Sequence, residues 1–228
     1  MKKYAMLLVI ALLWYTVSPV PARADIIVDF ATGSAGSGGT VSYGGTGGPL
    51  VGTGIRIGQV TGDGTPSNAK TFAVTDFTPS YGTMKFTTGN FASYSSGVYT
   101  FNTGGSITIE GGVPAATGVP SGSTLLTGDD VSATYDQKSG AISLSILTGN
   151  DTKDPYLLTF FGLPTTTPFI FSATAQGSIT KGNGLSFTST GEHSTDVTNS
   201  VVPEPATMLL LGSGLLGMAA LARRRFRK

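Results

Sequence analysis

Ile142-Ser143-Leu144-Ser145-Ile146 alternates branched apolar side chains with serines, a period of two that no helix face can use. In an extended chain the three apolar residues share one side and the serines the other, the pattern of a strand with one buried and one wetted face. The same period runs outward in both directions. Ser106-Ile107-Thr108-Ile109-Glu110 repeats it upstream, and Phe169, Phe171 and Ala173 share one side of a run downstream. Further strands are expected over residues 26–30, 54–60, 70–77, 83–88, 98–102, 131–135, 156–161 and 185–189. Turn signals such as Lys138-Ser139-Gly140 and Gly182-Asn183-Gly184 punctuate them. Residues 25–202 show no helical period. About eleven short strands without crossover helices predict an all-β fold, an antiparallel β-sandwich or jelly-roll, with a barrel as the third architecture of that class.

One stretch departs from this rhythm. Residues 33–54 hold ten glycines in 22 positions and read as a Gly-rich loop or weak hairpin. Their spacing superficially suggests a phosphate cradle, but no helix and no Gly-Lys-Ser/Thr follows, so that reading is discarded.

The two ends of the chain carry different information. Residues 1–24 read as a signal peptide: Lys2-Lys3 is a positive start, residues 5–15 are apolar, and Ala22-Arg23-Ala24 offers a small-x-small site. Signal peptidase is then expected to cut between Ala24 and Asp25. At the other end, Val202-Pro203-Glu204-Pro205 precedes an uncharged span, 206–222, which is followed by Arg223, Arg224, Arg225, Phe226, Arg227 and Lys228. A helix over 206–222 would be roughly 25 Å long, close to a bilayer core of roughly 30 Å. The five cations after it are expected to stay cytoplasmic as an anchor, which places the rest of the chain outside.

This order resembles the PEP-CTERM sorting region over 203–228, an address carried by exported proteins of Gram-negative bacteria that make extracellular polysaccharide. The resemblance implies recognition by an exosortase-type membrane protease, which cuts near Pro203-Glu204-Pro205 and passes the protein toward the cell surface. It covers about an eighth of the chain and implies nothing about the fold of the rest. The prolines hold the strip extended and remove two backbone donors, keeping it out of helix and sheet.

The expected exported domain, 25–202, is large enough for one core. The whole chain carries a net +1, but eight of its fourteen cations lie in the removable ends. Six cations against twelve acids leave the domain near −6, which argues against nucleic acid as a partner. No cysteine is present, so disulfides and thiolate chemistry are excluded.

Little in the domain points to catalysis. His193 is its only histidine, no Gly-x-Ser-x-Gly elbow accompanies it, and it reads as an exposed loop residue. Glu110, Asp129, Asp130, Asp151 and Asp154 could in principle supply a glycosidase pair or a calcium site, the latter from Asp129-Asp130 and Asn150-Asp151-Thr152-Lys153-Asp154. Neither run matches a known calcium loop, and solvated loop carboxylates are the simpler reading. No catalytic residue, cofactor or metal is assigned. The expectation is a non-enzymatic surface or matrix protein associated with exopolysaccharide or biofilm. The alternative is a secreted carbohydrate-binding or carbohydrate-active module.

Overall fold

The computed structural model describes residues 26–77, 80–146 and 151–201. More than half of these residues lie in fourteen strands: β1 (Ile27–Ala31), β2 (Thr40–Tyr43), β3 (Pro49–Ile57), β4 (Gln59–Asp63), β5 (Thr71–Ala73), β6 (Gly82–Ser95), β7 (Val98–Phe101), β8 (Ser106–Gly111), β9 (Ser123–Asp129), β10 (Val131–Asp136), β11 (Ala141–Ile146), β12 (Asp151–Lys153), β13 (Phe169–Lys181) and β14 (Phe187–Val201). The all-β antiparallel class is as expected, but eight strands close on themselves. Following the pairings, β2–β3–β6–β7–β10–β11–β13–β14 returns to β2, so this part is a barrel and not an open sandwich or jelly-roll. Closure removes the strand edges that a sandwich would leave open.

Long strands carry the chain out of the barrel. β6 pairs with β7 through its second half and with β8 through its first, extending to β9 and β12. β14 pairs with β2 near its start and with β1 near its end, extending to β4 and β5. These flaps end in the three-residue strands β12 and β5. Reciprocal hydrogen bonds between Thr75 and Gly112, at 2.8 and 2.5 Å, link the segment after β5 to the end of β8.

The alternation seen in the sequence is the inside–outside alternation of the strands. Ile107, Ile109, Ile142, Leu144, Phe169, Phe171 and Ala173 are all buried, whereas Thr108, Ser143 and Ser172 face outward or half outward. Aromatic rings fill the far end of the barrel. Tyr43 stacks on Phe91 at 5.2 Å, Phe101 meets Tyr43 edge-on at 5.1 Å, and Phe187 lies 4.2 Å from Tyr135 and 5.1 Å from Tyr99. Such ring pairs add roughly 0.5–1.5 kcal/mol each beyond the area they bury. The hairpin turns at 44–48, 96–97, 137–140 and 182–186 all lie at this end.

Two segments read otherwise in the sequence shape the core and the barrel wall. Residues 156–161, expected as a strand, belong instead to helix α1 (Pro155–Phe160) and its C-terminal cap, Phe161. Asp154 caps it, its Oδ1 accepting from the N–H groups of Tyr156 and Leu157 at 2.8 and 2.9 Å, and Pro155 at the first position has no N–H to satisfy. Leu157, Leu158 and Phe161 then plug the core. Residues 33–54 form a short 3-10 turn and the β2–β3 hairpin, which belongs to the barrel wall. Glycine is required at two places where neighbours press on this hairpin: a Cβ on Gly39, just before β2, would sit 2.5 Å from the Gly54 carbonyl carbon, and one on Gly52, within β3, would sit 2.2 Å from the Phe86 ring.

Candidate functional site

Registration of the strands turns the outward positions into rows of hydroxyls. Thr188 lies opposite Ser42 on β2 and Thr180 on β13, giving a row across three strands. Thr190 lies opposite Thr40 and Ser178, and Thr40 continues to Thr53, whose Oγ1 is 3.0 Å from its own. On the other side of the barrel Thr100, Thr134, Ser143 and Thr174 align across β7, β10, β11 and β13, with Ser132, Ser145 and Ser172 in the neighbouring row. Facing side chains on paired strands stand roughly 4.5–5.5 Å apart, and successive rows on one strand roughly 6.8 Å apart.

Open grooves lie over both sets. One, of about 340 Å³, is lined by Ser42, Thr180, Lys181, Ser186 and Thr188 near the hairpin tips. The other, of about 180 Å³, runs over Thr100, Ser132, Thr134, Ser143 and Ser145. Neither is lined by a carboxylate or a histidine. Hydroxyls that both donate and accept, with one cation beside them, suit hydrogen bonding to a neutral polyol.

The candidate acids are dispersed or already engaged. Glu110 pairs with Lys85 at 2.7 Å on the surface. Asp129 ends β9, and Asp130 follows at a positive φ of 59°, its N–H donating to Gly105. Asp136 is held below the usual carboxylate range chiefly by the Lys138 N–H and also by the Ser139 hydroxyl, which close its turn. Asp154 is the cap of α1. Among the described residues, no group of three or more His, Asp or Glu side chains is placed to hold a metal. His193 is not in a loop: it lies within β14, opposite Gln176 and joined to Arg56 of β3 by the parallel bridge between those strands.

Asp151 is the exception to surface exposure. Its carboxylate and the Lys153 ammonium point to the same side of β12, form an ion pair through Oδ2, and are both buried. Lys153 Nζ sits 3.5 Å above the centre of the Phe169 ring, joining β12 to β13. Burial pushes the Lys153 pKa down to about 8, against the opposing pull of Asp151. Nothing in the residue order marks this pair, because Asp151 and Lys153 flank Thr152 in a run whose composition is that of an exposed acidic loop.

The assigned sorting residues Val202, Pro203, Glu204 and Pro205, the cleavage pair Ala24 and Asp25, the span 206–222 and the anchor Arg223–Lys228 lie outside the described residues. Among the described residues no helix is long and apolar enough to cross a membrane. The tail is reached by comparison instead: the family described as PEP-CTERM protein-sorting motif matches residues 201–225. No curated protein and no solved structure matches the chain. The tail thus carries the address of exosortase-sorted, exported proteins.

Proposed function

We propose that the chain is a non-enzymatic exported β-barrel protein, handed by an exosortase to the cell surface or extracellular matrix, where its hydroxyl rows associate with exopolysaccharide. The match of residues 201–225 to the sorting motif carries the export half of this reading. The surface supports the other half. Rows such as Ser42–Thr188–Thr180 present many weak donors and acceptors at regular spacing, which favours repeated contact with a long polyol over tight capture of a small molecule. Hydrolysis of a glycosidic bond needs two facing carboxylates roughly 5–10 Å apart, whereas Glu110 is tied to Lys85 and Asp151 to Lys153. Intact-mass spectrometry of the protein recovered from culture tests the sorting: the product should begin at Asp25 and lack 206–228. Surface protein still carrying Arg223–Lys228 would mean a permanent single-pass anchor instead. Retention on the producer's own purified polysaccharide tests the association, and a protein that elutes with the void refutes it.

A further inference from the structure

β1 and β14 bring both ends of the folded domain to one pole, opposite the four hairpin tips. Ser200 lies across from Ile27 on one side and Ile170 on the other, and Val201 still pairs with Phe169. The ladder therefore runs to the residue immediately before Val202-Pro203-Glu204-Pro205. From Val201 to Ala206, where the apolar span opens, is five residues, and an extended chain covers at most roughly 3.3–3.6 Å per residue. The folded pole can stand no more than roughly 18 Å from the hydrocarbon, and the headgroup layer takes roughly 5–8 Å of that. A membrane protease that grips an extended substrate on both sides of the cut has almost no free strip on the domain side.

Resting on the reading that the tail is a sorting substrate, we infer that the docked end of β14 is a brake on the sorting cut. The protease gains its strip only when the last residues of β14 leave their neighbours. Because Ser200 is paired on both sides, opening breaks ladder bonds to β1 and to β13 together, and each such bond favours the docked state by a factor of roughly two to ten. Precursor whose last strand has not docked is cut quickly. Precursor with a finished barrel stays anchored, with its hairpin tips outward, and is released slowly.

The test uses the full chain in cells that carry the sorting protease. A flexible Gly-Ser linker of about ten residues placed between Val201 and Val202 leaves every described residue in place while supplying free strip. Pulse-chase with mass analysis should show the tail lost roughly tenfold faster or more, the scale of one or two ladder bonds, with trypsin resistance of the domain unchanged. Tail loss at the unaltered rate, or slower, overturns the brake. The variant Pro203→Ala/Glu204→Ala/Pro205→Ala separates this from the underlying reading. If that variant is processed like the parent chain, the sorting reading itself fails. If it is blocked while the linker changes nothing, only the brake fails.

Discussion

Replacing Lys153 by Met should cost the fold far more than its position in a three-residue strand suggests. The ammonium is fully buried, and burial lowers its pKa from 10.5 to about 8 even with Asp151 beside it. At roughly 1.4 kcal/mol per unit, holding that proton costs the native state on the order of 3 kcal/mol below pH 8. The sign follows from proton counts. Between about pH 8 and 10.5 the unfolded chain keeps a proton that the native chain has lost, so stability rises with pH across that window. Removing Lys153 alone leaves the Asp151 carboxylate buried without its cation, a loss of about 3–5 kcal/mol. Removing both charges, as Asp151→Leu/Lys153→Met, should be neutral or stabilising by about 1–4 kcal/mol at pH 7. Urea unfolding followed by far-UV circular dichroism suits the domain, since its sequence after Asp25 contains no tryptophan. The double variant's advantage over the parent should shrink by up to about 3 kcal/mol between pH 8 and 10.5. A double variant as unstable as Lys153→Met, or a gap that ignores pH, would refute the electrostatic account.

Four further outcomes are expected. Asp154→Ala removes both cap bonds of α1 and should lower the unfolding free energy by about 1 kcal/mol, read as a lower urea midpoint at unchanged slope. Gly52→Ala drives a methyl into the Phe86 ring and should destabilise by about 1–3 kcal/mol in the same assay. Asp136, whose folded pKa is lowered, contributes stability that is present above the ordinary carboxylate range and is lost as pH falls through the lowered value; Asp136→Asn should flatten thermal stability over that acid range. Triple replacement of Ser42, Thr180 and Thr188 by Ala should weaken polysaccharide retention. Changes at Glu110, Asp130 or His193 should alter it by less than about 0.5 kcal/mol, and a hydrolytic activity lost in any of these three variants would restore an enzymatic reading.

What could be read in advance was local. β8, β10 and β11 announce themselves because each places an apolar residue at every second position. β9 escaped notice because Leu125 and Leu126 are adjacent and both buried, next to a register shift at Ile109/Glu110 that breaks the alternation. α1 is too short to show a helical period. Its one signal is Asp154-Pro155, a cap followed by a residue suited to the first turn, and a carboxylate among Asn150, Asp151 and Asp154 suits a cation ligand equally well. The hydroxyl rows and the barrel depend on which strands become neighbours. Nothing in the alternation of β14 shows that its first half will lie against β2, from the far end of the chain. The glycines of 33–54 looked like slack, whereas at Gly39 and Gly52 they allow backbone and ring to approach closely.

The three-residue strands β5 and β12 bear on how such a protein behaves when crowded. Among the described residues every other strand pairs with at least two neighbours, and Pro155 has no N–H with which to continue β12, so these two end strands offer a second molecule only short edges. Short end strands lower the chance that one copy pairs edge-to-edge with the next, the step from which cross-β stacking grows. Contact between copies is thereby shifted from backbone edges to side-chain faces, where hydroxyl and charged groups keep it sensitive to salt.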